Sequence, residues 1–255
     1  MEISLTNIFF KATTGVAAMG SIMGYSSPAG AILTRNSTDS SLYLTTIQNS
    51  WFSSMSNFGA MIGCPIAGFS IYFLGRRGTI IYSTIPLLIG WIIIMFAQNF
   101  EMLVIGRFIT GIYCSLISTA VPTYTAEYSS PHIRGKLGIL FQVMVTTGIV
   151  IAYILGDCFN SFRWIAAICA ILPCLCSLLM IPNKETPLYL LSKGKETEAR
   201  KALLYFRGEC FQDIEIELEE MKLSLEYKKQ KLGFSSIRRR HVTVFSRKAH
   251  VNFIF

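Results

Sequence analysis

Charged side chains are scarce in this chain. Asp, Glu, Lys and Arg together make up 15% of the 255 residues, while 52% of the residues are hydrophobic. The mean hydropathy of +0.47 is higher than an ordinary soluble domain shows. A soluble fold of this length would have to bury that apolar surface, whereas lipid accepts it directly. The composition therefore indicates a protein of the lipid bilayer.

Patterns typical of catalysis and metal binding are also lacking. Only three histidines occur, and none has a serine or cysteine with an acid at a catalytic spacing. No glycine-rich phosphate loop is found. Most of the seven cysteines fall in apolar segments, and the group Cys169, Cys174 and Cys176 has no histidine or acid nearby, which favours packing over a metal site. We therefore predict no enzyme activity, no cofactor and no metal.

Long apolar runs are what the chain has in abundance. About six segments reach the roughly 17 to 25 residues that are needed to cross the hydrocarbon core of a bilayer. We predict spans at 8–33, 50–74, 79–97, 102–124, 136–156 and 164–182. The first two are rich in Gly, Ser and Thr, which favours close helix packing or a face toward a cavity. The first run has no basic segment before it and is too long for a signal peptide, so we interpret it as a span.

The chain divides into three predicted parts: a six-helix transmembrane domain over 1–183, a cytoplasmic helical segment over 184–232 and a basic tail over 233–255 without helical periodicity. The middle part is expected to contain two helices, one over 196–206 and one over 213–231. The second has apolar residues at helical spacing, which predicts a single buried stripe. Its members are Ile214, Leu218, Met221 and Leu225.

The distribution of Lys and Arg predicts the orientation in the membrane. The basic turn 75–78, the pair Arg134 and Lys136, and the Lys-rich segment after the sixth span all lie on one side, which we assign to the cytoplasm. Both termini are then cytoplasmic, and the plasma membrane is the expected location. The tripeptide that begins at Asn36 falls in the first outer loop, where Asn36 is a candidate for glycosylation.

The formal net charge of +8 raises the question of a nucleic-acid partner. Much of this charge lies after the sixth span, as expected from inside-positive bias and a basic tail near anionic lipid. The run 238–241 would contact phosphates or a trafficking receptor, or it is simply a solvated or lipid-facing segment. We predict no nucleic-acid partner.

Polar residues trapped between the fourth and fifth spans point to transport. Glu127 and Arg134 lie at the predicted cytoplasmic rim, and Gln142 lies deeper in the fifth span. Ionisable groups at the rim with an uncharged polar group further in are typical of a gated polar path through lipid. We expect Glu127 and Arg134 to form an ion pair that latches one conformation, since membrane topology alone needs no acid. Arg76 and Arg77 either join such a latch or only fix the topology.

Four short motifs follow one another along the chain. They are Gly75-Arg76-Arg77; Gly106-Arg107-Phe108-x-x-Gly111; Pro122-x-Tyr124-x-x-Glu127 with Arg134-Gly135; and Glu185-Thr186-Pro187 with Ser192-Lys193-Gly194-Lys195. In this order they resemble the N-terminal half of a sugar porter of the major facilitator superfamily, over about residues 27–208. The chain is similar to the facilitative trehalose and glucose transporters of insects.

This resemblance implies an all-α membrane protein, the six-helix N-terminal bundle of the major facilitator fold with its 3+3 inverted repeat. It implies alternating-access transport of a sugar such as trehalose or glucose. The partners would be the sugar, the lipid bilayer, and a C-terminal transporter half or another transporter chain. The alternative is a non-transporting sugar sensor, or a truncated regulatory partner of a full-length transporter.

Three positions depart from the family pattern. Tyr72 stands where sugar porters usually carry an acid, and Leu188 stands where many carry an arginine. Sugar/proton symporters of the family have an Asp in the first span, but the corresponding segment 24–27 has no acid. A span without a titratable group offers no place for a proton, so we predict downhill, facilitative transport.

Gln142 is the predicted sugar contact. It lies ~12 Å along the helix from Arg134, and its amide has both the donors and the acceptors that sugar hydroxyls need. In the resembled family the glutamine at this place contacts sugar. Val145, Thr146 and Ile149 share its helical face, which we expect to line the cavity. The alternative is an amide that bonds to a neighbouring helix.

Arg107 lies near the predicted outer end of the fourth span. The sequence allows two arrangements of the Arg107 side chain. It joins an outer cluster with Glu101 or Asp157, or it extends to the membrane interface with its apolar stem in lipid.

Overall fold

The computed structural model describes residues 2–34, 42–129, 131–207 and 214–227, and these are helical apart from short connections. The helices are α1 (Glu2–Thr34), α2 (Thr46–Tyr82), α3 (Thr84–Met95), α4 (Phe100–Tyr128), α5 (Pro131–Cys158), α6 (Phe162–Cys169), α7 (Ile171–Met180), α8 (Pro187–Ser192) and α9 (Glu196–Arg207). A further helix, α10, covers 214–227. Asn36 and the tail 233–255 lie outside the described residues.

The predicted spans lie in these helices, although spans and helices do not correspond one to one. The second span and the start of the third form α2, interrupted at Gly75, and the third continues through α3 after a break at Ser83. The sixth span is divided into α6 and α7 at Ala170. Where the chain is described, four helical stretches are long and apolar enough to cross a membrane: Thr46–Tyr82, Phe100–Tyr128, Ile133–Cys158 and Phe162–Met180. α1, of 33 residues, is long enough to cross a membrane and is rich in Gly, Ser and Thr.

The first interhelical crossing joins α1 to α5. A side chain at Gly148 would collide with the backbone oxygen of Ala17, and one at Gly20 would collide with the backbone oxygen of Val145. Each glycine therefore allows the opposite backbone to approach closely, as small residues do in membrane helix pairs. α1 and α5 accordingly share one of the two most extensive contacts in the bundle.

The second crossing, between α2 and α4, repeats this arrangement. A side chain at Gly59 would meet the backbone oxygen of Phe108, and one at Gly111 would meet the backbone oxygen of Ser56. α2 and α4 form the most extensive helix pair in the described structure. An inverted repeat of three helices relates the first span to the fourth and the second to the fifth. It would therefore relate the pair formed by the first and fifth spans to the pair formed by the fourth and second.

The helices after the sixth span agree with the periodicity of the sequence. α9 covers the predicted helix over 196–206 and ends at Arg207. In α10, Ile214 and Leu218 are buried and Met221 and Leu225 are half-buried, so the predicted stripe faces the core. The predicted ends of that helix at 213 and 231 lie outside the described residues.

Candidate functional site

The turn between the second and third spans is built around Gly75. Its backbone has φ 82° and ψ 179°, a conformation that only glycine adopts readily. The helix resumes at once, and the carboxylate of Glu185 accepts hydrogen bonds from the backbone N–H groups of Arg76 (3.1 Å), Arg77 (3.1 Å) and Gly78 (3.4 Å). A carboxylate at this position satisfies the free amides of the first helical turn and complements the helix dipole. Glu185 therefore caps the third span from a distant part of the chain.

Arg76 forms the ion pair of this region. Its Nη2 lies 2.7 Å and its Nε 3.0 Å from Oε1 of Glu127, and the two side chains are only 18% and 11% exposed. The expected pair between Glu127 and Arg134 is therefore wrong. Arg134 lies on α5 with an exposed side chain, and the one hydrogen bond that it donates in the described structure is long, from Nε to the backbone oxygen of Ser129 at 3.4 Å.

Arg77 caps the C-terminal end of the sixth span. Its Nη2 donates to the backbone oxygen of Ile181 at 2.6 Å, and its Nε donates to that of Met180 at 3.3 Å. A cation at the C-terminal end of a helix satisfies free carbonyl groups and complements the dipole. The two arginines thus have separate partners, one on α4 and one at the end of α7.

α8 lies against this basic turn. The Tyr189 hydroxyl donates to the backbone oxygen of Phe73 at 2.8 Å, and the guanidinium carbon of Arg76 lies 5.3 Å from the centre of the Tyr189 ring. Partial burial, and then the nearby Glu185 carboxylate, raise the pKa of the Tyr189 phenol, so it remains protonated and able to donate. Glu185 and Tyr189 are absent from the predicted site. The signal for Glu185 was the acid in its Glu-Thr-Pro motif.

A cavity of about 190 Å³ lies between the end of α4 and the start of α5. Its lining consists of Pro122, Thr125, Ala126, Ser129, Arg134, Leu137, Gly138 and Phe141. The hydroxyl of Ser129 is buried and has no hydrogen-bond partner within the described chain. Arg134 therefore borders a pocket at the rim, beside the Arg76–Glu127 pair.

The fifth span presents part of the predicted sugar-binding face. Gln142 and Thr146 are exposed, and the Gln142 amide makes no hydrogen bond to any described residue, so no bond to a neighbouring helix is found there. Val145 is 5% exposed and Ile149 is half-buried, because both pack against α1 where glycines such as Gly24 let the two backbones approach. The expectation that all four residues line a cavity is therefore wrong for Val145 and Ile149.

Other polar residues inside the spans are exposed and were not predicted as part of a site. They are Ser27 on α1, Asn57 on α2, and Ser118 and Thr119 on α4. A second cavity, of about 560 Å³, runs along α2. Its lining is Trp51, Ser54, Met55, Asn57, Phe58 and Met61. Exposed amides and hydroxyls at membrane depth are poorly solvated by lipid, which favours a water-filled path or a protein partner beside them.

Arg107 is fully buried where α1, α2 and α4 meet. Its Nη1 donates to the backbone oxygen of Ile22 at 3.0 Å, its Nε to that of Phe52 at 3.5 Å, and its Nη2 to the hydroxyl of Ser26. The guanidinium carbon lies 5.6 Å from the ring centre of Tyr25 and 5.1 Å from that of Phe52. Carbonyl oxygens, a hydroxyl and two aromatic faces thus replace water around this charge.

Neither expected arrangement of Arg107 is present. No ion pair to Glu101 or Asp157 occurs in the described parts of the chain, and a side chain with no exposed surface does not reach the membrane interface. The physical reason is that hydrogen-bond acceptors on α1 and α2 surround the guanidinium inside the bundle, so the side chain does not extend to the interface. The number and direction of these acceptors depend on tertiary packing and leave no local signal in the sequence.

A profile of the family described as "Sugar (and other) transporter" matches residues 7–251 of the chain. The chain is 38% identical over 233 residues to "Sugar transporter ERD6-like 6" of Arabidopsis thaliana, which covers 89% of this chain and 45% of that protein. It is 35% identical over 215 residues to "Facilitated trehalose transporter Tret1" of Bombyx mori, covering 84% and 41% respectively. It is 36% identical over 199 residues to the facilitated glucose transporter member 8 of Bos taurus, covering 78% and 41%. The chain thus spans less than half of the length of these relatives.

Solved structures of similar architecture include the major facilitator superfamily proton:xylose symporter XylE bound to 6-bromo-6-deoxy-D-glucose. The TM-score is 0.80 at 22% sequence identity, over 90% of this chain and 55% of that one. A partially occluded, inward-open form of XylE from E. coli has a TM-score of 0.77 at 22% identity, over 89% and 60% of the two chains. At this level of identity the likeness concerns the fold.

Proposed function

The chain belongs to the sugar transporter family of the major facilitator superfamily, and from that premise we propose that it forms one half of a facilitative sugar carrier. The substrate would be a sugar such as trehalose or glucose. Transport would proceed by alternating access, in which this six-helix domain rocks against a C-terminal half or another transporter chain. The chain is a multi-pass membrane protein. We place it in the plasma membrane with both termini in the cytoplasm.

The observation that carries this proposal is the exposed, unpaired amide of Gln142 inside a membrane span, with the exposed hydroxyl-bearing Thr146 one turn further on. An amide offers two donors and an acceptor, which is the complement of neighbouring sugar hydroxyls. Lipid offers no partner to these groups, so they require water, substrate or another protein surface. Val145 and Ile149 would support Gln142 from behind by fixing α5 on α1.

The rim residues are proposed to control the inner gate. An ion pair between two helix ends is either formed or broken, so it can hold one conformation and release it in another. Arg76 and Glu127 are paired within the domain, Arg77 is bound to the end of α7, and Arg134 borders the rim cavity with most of its donors free for an opposing surface. Arg107 would keep α1, α2 and α4 together during the movement.

Facilitative rather than proton-coupled transport is favoured by the surroundings of Arg107. The first span contacts this guanidinium through the backbone oxygen of Ile22, the ring of Tyr25 and the hydroxyl of Ser26, none of which is a carboxylate. At such a position the buried cation would change the pKa of an acid strongly, and that acid would suit proton exchange. A serine there supports downhill movement of the sugar alone.

The test is uptake of labelled trehalose and glucose by proteoliposomes that contain the full-length transporter, or this chain paired with a C-terminal half. Gln142→Ala should raise the KM for the transported sugar roughly tenfold, as expected for the loss of one or two hydrogen bonds to substrate. Val143→Ala, at an exposed apolar position next to it, is the matched control and should leave KM unchanged. Uptake with an unaltered KM in Gln142→Ala would contradict the proposal.

The same preparation tests the alternative function. A sugar sensor or regulatory partner of a full-length transporter is the second candidate. Saturable sugar binding that depends on Gln142, without flux in any pairing, would favour the sensor. Flux that requires this chain would exclude it.

A further inference from the structure

The segment from Glu185 to Lys193 makes three contacts, with the end of the second span and with the basic turn that follows it. Glu185 accepts from the backbone amides of the basic turn, and Tyr189 donates to the backbone oxygen of Phe73. Lys193, at the C-terminal end of α8, reaches Tyr72. Glu185 precedes α8, Tyr189 lies within it and Lys193 follows its last residue, so the three contacts are distributed along the whole segment.

The contact of Lys193 differs from the other two because it involves no oxygen atom. Its Nζ lies 4.5 Å from the centre of the Tyr72 ring and 5.5 Å from the centre of the Tyr189 ring. No carboxylate pairs with Lys193 among the residues that the structure describes. The neighbouring Lys195 does have such a partner, Glu198, at 3.2 Å. Two ring faces therefore provide the electrostatic partner of this ammonium group.

The position of Tyr72 suits this role. The residue is 65% exposed, and its ring packs edge-to-face on that of Phe73 with the ring centres 5.1 Å apart. The backbone oxygen of Phe73 in turn accepts from Tyr189. The ring is thus held at the end of the span by its neighbour, with one face turned to the ammonium group of Lys193.

We propose that Tyr72 and Lys193 form a positioning contact that holds the far end of α8 on the second span, while Glu185 holds the near end on the third. The part played by this contact in gating rests on the proposed function. With both ends held, α8 follows the basic turn as one unit, so movement of the turn is transmitted to α9 and α10. With only the Glu185 end held, α8 is free to pivot.

A contact of this kind has a characteristic response to salt. An aromatic ring attracts a cation through its quadrupole and carries no net charge, so added salt changes this attraction little. An exposed ion pair at the same place would weaken as salt is added. The response to ionic strength therefore distinguishes a ring from a carboxylate as the partner of Lys193.

The experiment measures acetylation of lysine amines in the purified full chain by mass spectrometry, with Lys195 as the internal reference. Tyr72→Leu should increase the acetylation rate of Lys193 by roughly two- to fivefold, which corresponds to the loss of an exposed cation–ring contact. Tyr72→Phe retains the ring, so Lys193 should be acetylated as slowly as in the unmodified chain. Phe69→Leu removes an equally exposed ring one turn earlier and should have no effect.

A second arm uses Tyr72→Asp. In this variant the acetylation of Lys193 should be slow at low salt and should become faster as the ionic strength rises. In the unmodified chain the acetylation rate of Lys193 should change little with salt. A wild-type rate in Tyr72→Leu, or an equally strong salt response in the unmodified chain, would overturn the proposal and leave Tyr72 as an interfacial aromatic residue only.

These measurements need no sugar flux. A normal acetylation pattern in a protein that carries no sugar would contradict the proposed function and leave the contact intact. Normal sugar transport with a wild-type rate in Tyr72→Leu would contradict the contact and leave the proposed function intact.

Discussion

At the scale of single residues, the buried Arg107 shows how a charge is accommodated without a counter-ion. Guanidinium has five N–H donors in a rigid plane and is more weakly hydrated than an ammonium group. Backbone oxygens of Ile22 and Phe52 and the hydroxyl of Ser26 satisfy donors on different nitrogens, and the Tyr25 ring lies against the guanidinium plane. The side chain therefore joins three helices through hydrogen bonds that a smaller cation cannot reproduce.

Arg107→Lys is accordingly expected to destabilise the chain even though the charge is conserved. Lysine has three donors at a single nitrogen and cannot reach α1 and α2 together, so at least one buried acceptor loses its partner, which costs roughly 2 to 3 kcal/mol. In thermal unfolding of the detergent-solubilised chain, the midpoint should fall by roughly 5 to 10 °C.

The control for this prediction is Arg200→Lys. Arg200 also makes a short contact, 2.7 Å to Glu215, but both side chains are more than half exposed. Exposed pairs contribute little to stability, so the midpoint should stay within about a degree of the parent. An equal loss in the two variants would mean that the arrangement around Arg107 contributes nothing specific.

Single residues were predicted from the sequence to different degrees. The place of Gln142 within a long apolar helix followed from counting along the sequence, and the residue is exposed there. Its depth in the bilayer stays a prediction. The partner of Glu127 did not follow, because α2 and α4 meet only after folding and Arg76 is distant from Glu127 in the chain. The burial of Val145 was also missed, since it depends on glycines of α1 that no property of α5 reveals.

At the scale of elements, the start of the third span depends on an acid from elsewhere in the chain. We expect Glu185→Ala to leave the amides of 76–78 without acceptors, at a cost of roughly 1 to 2 kcal/mol. Hydrogen exchange of those amides should accelerate by about tenfold, as measured by mass spectrometry of the peptide that contains them.

Glu198→Ala serves as the comparison for the cap. Glu198 pairs with Lys195 at 3.2 Å on an exposed helix face, and its loss should leave the exchange of the basic turn unchanged. Exchange at 76–78 that stays slow in Glu185→Ala would show that another group caps the helix.

The crossing of α1 and α5 is expected to tolerate no side chain at Gly148. A methyl group there would meet the backbone oxygen of Ala17, and backbone cannot rotate away, so the two helices must separate. Overpacking of this kind destabilises by about 1 to 3 kcal/mol. Gly148→Ala should therefore lower the thermal midpoint measurably in detergent.

Gly138→Ala provides the matched control on the same helix. Nothing lies within 4 Å of a side chain added at Gly138, so the substitution should be neutral or slightly stabilising through helix propensity. A midpoint in Gly148→Ala as high as that of Gly138→Ala would show that the crossing is looser than the structure indicates.

The length and hydropathy of the apolar runs predicted the helices well. The rule that a span needs about 20 apolar residues places the segments to within a few residues, and the helices continue past them into polar ends. The breaks at Ser83 and Ala170 were not predicted, although a proline lies three residues after each of them, Pro86 and Pro173, and proline removes a helical hydrogen bond. The break at Gly75 had a signal, glycine followed by two arginines, but its left-handed backbone becomes evident only with the Glu185 cap in place.

At the scale of the whole molecule, the expected fold is confirmed: an all-α membrane protein with the six-helix N-terminal bundle of the major facilitator fold. Composition indicated the bilayer, and motif order indicated the family. The geometry of a complete sugar site was not accessible from this sequence, because Gln142 and the rim residues would form only one wall of the proposed path. The division at 183 and 232 stays a prediction.

The predicted orientation can be measured on Cys158. This residue is exposed at the end of α5 that lies opposite Arg134, which we assign to the outer side. A membrane-impermeant maleimide should label it in intact cells, and Cys158→Ser should abolish that signal. Labelling that appears only after the membrane is permeabilised would reverse the orientation and place both termini outside.

In the proposed carrier, the buried guanidinium of Arg107 would also couple the protein to the membrane potential. Moving one elementary charge through the full field is worth about 2.3 kcal/mol per 100 mV. A domain that rocks with an uncompensated internal charge, even through about a tenth of that field, gains or loses roughly 0.2 kcal/mol per 100 mV between its two orientations. Because the charge returns with each cycle and the sugar is neutral, net transport would carry no current. Voltage would still bias which side of the membrane the empty carrier faces.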